Sequence, residues 1–322
     1  MPDQQTQRSR LADAGAAPSD FERSVKAGLT KTPKSLEPKY FYDEAGSALF
    51  DKITELPEYY LTRAETEILR DRSAEIADLV GPGAELAELG SGASIKTRLL
   101  LSALVEPATY IPIDISAEHM SAAAKDLQAL HPDLAIHPVA ADFMQPLRLP
   151  ERSGDGHRVL FFPGSTIGNL PPADARQFLA RMHGEVGADM LIIGADLAKD
   201  RATLEAAYND GAGVTAAFNL NLLARMNGEL GANFDLDRFR HHAPYNEAAG
   251  RVEMHLVSTV DQTVTIGDLT VAFEAGETIH TENSYKFTVA GFHQLAGLGG
   301  WRPLKVWTDA QERFSVHVMV PA

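Results

Sequence analysis

The chain has 322 residues, 44% hydrophobic and 23% charged, which is enough apolar material for one large or two moderate domains and excludes a wholly disordered polymer. Its formal net charge of −15 has no local Lys/Arg cluster to offset it, which sets nucleic acid aside as a partner, and the absence of cysteine excludes disulfides, thiolate metal sites and a cysteine nucleophile. No apolar run approaches the ~20 residues that cross a bilayer and residues 1–20 lack a signal peptide's apolar centre, so a cytoplasmic protein with a weakly ordered lead-in is expected, without membrane contact.

From residue 86 onward short apolar runs alternate with helical stretches. Residues 86–90, 110–115, 134–140, 158–162 and 189–194 read as strands, with helices over 94–104, 118–130 and 172–186 between them. Continuous rather than alternating apolar runs indicate strands buried on both faces, hence a parallel sheet with helices on either side and a ligand crevice at the strands' carboxyl ends. The pattern breaks near residue 200. Residues 201–235 read as largely helical, and 252–258, 263–266 and 269–273 as antiparallel strands punctuated by Gly267-Asp268 and Gly276. A helix over 288–298 and strands over 304–307 and 314–320 are expected to complete the first sheet. The chain thus reads as an α/β sheet domain interrupted by a second module, which residues 21–60 are expected to join.

Glu88-Leu-Gly-Ser-Gly-Ala-Ser-Ile95 falls where the first strand turns into the first helix. Gly90 and Gly92 permit positive φ and close ligand approach, and the helix beginning near Ser94 offers unpaired N–H groups. A G-x-G-x-x-G fingerprint would need glycine at Ile95, which argues against a nicotinamide-dependent oxidoreductase. Asp114, at the second strand's end, suits ribose hydroxyls, and Asp142 with Phe143, after the third, suits an adenine amino group and ring. Glu88 is a further candidate acceptor. The shortened glycine loop fits S-adenosylmethionine, which has no pyrophosphate.

The motifs then resemble a family: the histidine Nα-methyltransferases of ergothioneine biosynthesis, from about residue 25 onward. Pro33-Lys-Ser-Leu-Glu-Pro-Lys-Tyr-Phe-Tyr-Asp-Glu-Ala-Gly-Ser-Ala-Leu-Phe50 and Leu56-Pro-Glu-Tyr-Tyr-Leu-Thr-Arg63 are similar to its entry segment, and the loop through Arg98 to its cofactor loop. Gly164-Ser-Thr-Ile-Gly-Asn-Leu170 and Ala207-Tyr-Asn-Asp-Gly-Ala-Gly-Val-Thr-Ala-Ala-Phe-Asn219 resemble two further blocks. The resemblance implies a Rossmann-like class I methyltransferase sheet with an inserted α+β histidine-binding domain. The expected division is 21–60 with 201–285 for histidine, and 61–200 with 286–322 for S-adenosylmethionine.

It also implies roles. Gly90 and Lys96 contact S-adenosylmethionine; Asn169 and Tyr208 fix the amino-acid head group; Tyr59, Tyr42 and Met254 complete the pocket, with Asn169 and Tyr42 at the catalytic position. Glu282 and Ser284 lie two apart, so on an extended strand they share a face, and a carboxylate with a hydroxyl serves the two nitrogens of an imidazole. The implied reaction is trimethylation of the α-amino group of free L-histidine to hercynine; the alternative is another amino acid or small amine on the same fold. His241-His242 are adjacent and lack H-x-x-x-H spacing, so no metal is expected. The serine of Gly164-Ser-Thr-Ile-Gly168 is one place early for a nucleophile elbow. A monomer is expected.

Overall fold

The computed structural model describes residues 19–91, 95–115, 117–152 and 154–322; Gly92, Ser94 and residues 1–18 of the expected lead-in lie outside the described residues. Ser19 opens helix α1 (Asp20–Leu29) by accepting from the Glu22 amide at 3.1 Å, and acidic residues in the first turn with Lys26 in the last complement the helix dipole. Strand β1 (Lys34–Ser35) and a 3-10 turn (Pro38–Phe41) lead to Tyr42. Asp43 then caps helix α2 (Glu44–Glu55) by accepting from the Gly46 amide at 2.7 Å. Helix α3 (Tyr60–Val80) follows.

The expected alternation comes next: β2 (Glu85–Leu89), α4 (Ile95–Ala103), β3 (Thr109–Asp114), α5 (Ala117–Leu130), β4 (Ala135–Ile136), β5 (Val139–Ala140), β6 (Arg158–Phe162), a 3-10 turn (Thr166–Asn169), α6 (Pro172–Gly184) and β7 (Met190–Asp196). Strands β4, β3, β2, β6 and β7 lie side by side and parallel. The continuous apolar runs have the anticipated cause: Val159 and Phe161 enter one core while Leu160 and Phe162 enter the other, so both faces of β6 are covered. The chain moves from β2 outward to β3 and β4, then returns to lay β6 on the other side of β2. That reversal opens a crevice at the strands' carboxyl ends.

One expectation needs correcting. Residues 134–140 form two short strands rather than one, both paired to β3. Pro138 between them has no N–H for the ladder, and the His137 amide bonds to the Tyr110 carbonyl at 2.9 Å instead.

Beyond β7 run helices α7 (Arg201–Tyr208) and α8 (Val214–Leu230). Asp210 in the break accepts from the amides of Val214 and Thr215 at 2.8 and 2.7 Å. Strands β8 (Phe239–His242), β9 (Tyr245–Asn246), β10 (Arg251–Ser258), β11 (Gln262–Ile266), β12 (Leu269–Phe273) and β13 (Thr278–Tyr285) divide between two structures. β10 pairs antiparallel with β13, β8 and β9, and β1 adds in parallel to β13, whereas β11 and β12 make a separate ribbon. Helix α9 (Val289–Leu298) and strands β14 (Trp301–Thr308) and β15 (Phe314–Pro321) return to the main sheet. β15 pairs antiparallel to β7 and β14 antiparallel to β15, completing a mixed eight-stranded sheet as expected of the chain's last strands.

The two sheets meet at the end of β13. Leu197 and Phe287 form a parallel bridge, and a Cβ on Gly168 would lie 2.9 Å from the Tyr285 carbonyl oxygen. Only glycine lets the 3-10 turn after β6 press so closely on β13.

Candidate active site

Glu282 stands directly opposite Met254 across β10 and β13, and Ser284 opposite Val252. Alternate residues of extended chain project to one face, so Glu282 and Ser284 share a direction with Lys286 beyond them. All three are buried. Tyr208 ends α7 with its hydroxyl 2.7 Å from Ser284 Oγ. The Tyr59 ring packs edge-on against Tyr208 at 6.2 Å, and Phe50 holds Tyr42 and Tyr59 by edge contacts at 5.6 and 6.4 Å. Asn169 arrives from the 3-10 turn after β6. Thus Tyr42, Tyr59, Asn169, Tyr208, Met254, Glu282 and Ser284 line a single cavity, together with Gly164, Thr215 and Phe218.

Several polar groups in this cavity have no hydrogen-bond partner among the described residues: the hydroxyls of Tyr42 and Tyr59, the Asn169 amide and the Glu282 carboxylate. Polar groups withdrawn from water are ordinarily paired, and the buried Thr215 Oγ1 on the same wall also lacks a partner, so such a set marks a place for a polar ligand. Burial pushes the Glu282 carboxyl up to about 7, with the Lys286 charge pulling it back. Burial also raises Tyr42, Tyr59 and Tyr208 well above the usual phenol range, which keeps them protonated as donors. The cavity therefore offers donors and amides at one part of its wall and a carboxylate at another.

Behind the cavity lies a cluster that the sequence reading missed. Asp196, at the end of β7, has no exposed side-chain surface; each of its carboxylate oxygens accepts from the Tyr60 hydroxyl at 2.8 Å, and they pair at 2.7 Å with Lys199 and Lys286 respectively. Burial lowers Lys199 to about 8 against the pull of Asp196. Lys286 also donates to Tyr208 and Ser284. The alternation that links Glu282 to Ser284 reaches Lys286 if carried one step further, whereas nothing local connects Tyr60, Asp196 and Lys199 to it.

The cofactor candidates stand along the carboxyl edge of the parallel strands. Gly90 has φ +75°, and its amide bonds to the Ile113 carbonyl at 2.8 Å, which closes the turn after β2. A Cβ there would lie 4.0 Å from the Phe143 ring. Asp114 ends β3; Asp142 follows β5, accepts from the Met144 amide at 2.9 Å and pairs with Lys39 at 3.3 Å. Phe143 packs edge-on to Phe162 and Phe178. Lys96 pairs with the fully buried Glu65, which also accepts from the Gly164 amide at 2.8 Å. Glu88 departs from its expected place as a ligand acceptor. Its carboxylate is turned inward to accept from Thr97 at 2.6 Å and from Tyr110, and burial raises it to about 7 despite those bonds.

Two carboxylates, an aromatic ring and a glycine turn at adjacent strand ends match the chemistry of a nucleoside: ribose hydroxyls, a purine amine and a flat ring. Lys96, on the helix that follows this turn, approaches the cavity wall at Gly164, where an added Cβ would lie 3.8 Å from its Nζ. No group of His, Asp and Glu among the described residues is arranged to hold a metal. Both His241 ring nitrogens are engaged, with the Tyr208 carbonyl at 2.7 Å and the Asn219 amide at 2.9 Å.

Comparison with known proteins places the whole chain. Residues 21–321 match the family model for histidine-specific, S-adenosylmethionine-dependent methyltransferases. A histidine N-alpha-methyltransferase of Mycobacterium tuberculosis is 47% identical over 304 residues, spanning 92% of this chain and 94% of that one. Its counterpart from Mycolicibacterium smegmatis is 45% identical over 314 residues, 95% and 97% of the two chains. Ergothioneine biosynthesis protein 1 of Neurospora crassa is 31% identical over 299 residues, covering 89% of this chain and 33% of that longer protein. By its sequence over nearly its whole length, the chain belongs to the histidine-specific, S-adenosylmethionine-dependent methyltransferase family.

Proposed function

We propose that the chain catalyses the S-adenosylmethionine-dependent trimethylation of the α-amino group of L-histidine to hercynine, the first step of ergothioneine biosynthesis. The observation that carries the substrate is the convergence of Glu282 and Ser284 on the cavity that also holds the unpaired Tyr42, Tyr59 and Asn169. Glu282 accepts from a ring N–H and Ser284 serves the other ring nitrogen. Asn169 and Tyr208 hold the head group, Tyr59 closes the wall, and Met254 packs against the ring. Tyr42 and Asn169 accept the amine's hydrogens and leave its lone pair free, which is the alignment that a displacement at carbon requires.

When bound, S-adenosylmethionine supplies a methyl group on a positively charged sulfur. Gly90 and Lys96 would hold its amino-acid end, Asp114 its ribose, and Asp142 with Phe143 its adenine. The chain's own part is positional. It binds the amine, strips water from it within buried walls, and leaves its proton to solvent.

We assign residues 21–60 and 201–285 to a histidine-binding domain inserted into a Rossmann-like class I domain of residues 61–200 and 286–322. The first pair of segments holds every proposed substrate contact except Asn169, and the second holds every proposed cofactor contact. The co-substrates, a free amino acid and S-adenosylmethionine, support a cytosolic site. Incubation with histidine and S-adenosylmethionine followed by mass spectrometry tests the reaction. One, two and three added methylene masses on histidine are expected. Addition to tryptophan or tyrosine instead would assign the alternative substrate class.

A further inference from the structure

Lys286 has no exposed side-chain surface, and its ammonium meets Asp196 Oδ2 at 2.7 Å, Ser284 Oγ at 2.8 Å and Tyr208 Oη at 3.0 Å. An ammonium has three protons to donate and nothing to accept with, so each proton goes to one of these partners. Asp196 fixes this orientation, because Tyr60 and Lys199 also donate to its carboxylate. The hydroxyls of Tyr208 and Ser284 therefore both accept from Lys286. They also lie 2.7 Å apart, so one of them donates to the other. Two hydroxyls carry two protons: one lies in the bond between them, and the second has no acceptor among the described residues. Tyr208 and Ser284 both line the cavity, and we take the second proton to be offered into it.

We propose that Lys286, held by Asp196, is a positioning residue that turns the Tyr208–Ser284 pair into a hydrogen-bond donor toward the bound amino acid, and so selects a ring nitrogen that carries no proton. The proposal rests on the reading of Glu282 and Ser284 as the imidazole site: Tyr208 gives its proton to Ser284 and meets the head group through its remaining lone pair, and Ser284 turns its own proton to the ring. Glu282, on the same strand face, accepts a ring N–H. The two ring nitrogens thus meet opposite chemistries, and a neutral imidazole satisfies both. An imidazolium, or a pyrrole ring with carbon in place of the bare nitrogen, leaves the hydroxyl proton without an acceptor. Lys286 itself does not line the cavity and acts through the two hydroxyls.

The test is calorimetric titration of the full chain, saturated with S-adenosylhomocysteine, as wild type, Lys286→Arg and Lys286→Met. The ligands are histidine and the two β-pyrrolylalanines, each keeping one ring N–H and replacing the other nitrogen by carbon. Wild type should bind histidine about 10- to 100-fold more tightly than the better pyrrole, the span expected of one mismatched buried hydrogen bond. Lys286→Arg should keep most of that ratio. Lys286→Met should reduce it to about threefold or less, because the freed hydroxyls can then reverse. If Lys286→Met weakens histidine and pyrrole alike, with the ratio unchanged, the proposal is overturned and the substrate reading stands. A wild type that takes pyrroles as well as histidine overturns both. Lys286→Met leaves Asp196 paired with Lys199 and Tyr60. If it nevertheless fails to fold, nitrogen NMR of labelled histidine bound to the wild type decides. At about one pH unit below the ordinary imidazole pKa, one bare ring nitrogen is expected, and a doubly protonated ring overturns the proposal.

Discussion

Met254 and Glu282 face each other across β10 and β13, and the register slips at the very next residue, leaving Thr281 as an extra residue on β13. The Thr281 hydroxyl shares its one proton between the Met254 carbonyl at 3.1 Å and Asn219 Oδ1 at 2.9 Å. A bulge of this kind re-aims the side chain beside it, and here that side chain is the carboxylate assigned to the imidazole. Replacing it should therefore change selectivity more than chemistry. For Glu282→Ala, KM for histidine is expected to rise about 10- to 100-fold while kcat falls much less, with tryptophan gaining relative to histidine. An unchanged ratio of kcat/KM between the two amino acids would remove the assignment.

The same carboxyl makes stability depend on pH. Glu282 titrates near 7 in the folded chain, against about 4.3 when unfolded. Between these values the folded state holds a proton that the unfolded state has released. The stability it contributes is complete below the unfolded value and disappears as pH climbs through about 7. Glu282→Gln should consequently gain on wild type as pH is raised from about 5 to about 8, by at most about 3 kcal/mol. Urea midpoints for both proteins across that interval give the comparison; parallel curves would refute it.

Glu65 links the helix after the glycine turn to the loop that carries Asn169, because it binds both Lys96 and the Gly164 amide. Removing one member of a buried ion pair costs about 3–5 kcal/mol, and Lys96 is only partly covered, so Glu65→Ala should lie near the lower figure. Denaturant unfolding measures this. The free Gly164 amide should also raise KM for histidine, and a variant unaltered in both stability and KM would show that the link is idle.

Gly168→Ala adds a methyl 2.9 Å from the Tyr285 carbonyl oxygen and 3.4 Å from both Ser165 Oγ and the Tyr285 amide. The turn must back away from β13 and take Asn169 with it. A loss of about 1–3 kcal/mol in stability is expected, together with at least about a tenfold fall in kcat/KM, the size of a mispositioned contact. Wild-type kinetics from this variant would mean that the contact does not set the position of Asn169.

Much of this architecture was legible in the residue order because its causes are local. Apolar runs such as Arg158–Phe162 announce strands covered on both faces, and the spacing of Glu282 and Ser284 announces a shared direction. Pro138 carried a local warning too, since it cannot donate to a ladder, yet the run around it read as one strand. Glu88 was misread because its neighbours in space, Thr97 and Tyr110, decide whether it faces a ligand or the interior. The Tyr60, Asp196, Lys199 and Lys286 cluster was invisible for a related reason: Asp196 and Lys199 are near in sequence, but Tyr60 reaches them only when α3 packs on the main sheet, and Lys286 only when the chain beyond β13 bridges to that beyond β7. Pairings of that kind depend on topology, which no window of neighbouring residues contains.

The press of the 3-10 turn against β13 has a last consequence. Because the cavity's walls are drawn from the second sheet and from the turn that leaves the main one, whatever fills it rivets the two together across a seam already held by the Leu197–Phe287 bridge and the Lys286–Asp196 pair. Occupancy and cohesion become one thermodynamic quantity. Amino acid and nucleoside together should slow amide exchange at Gly168 and Tyr285 far more than in the distant β11–β12 ribbon.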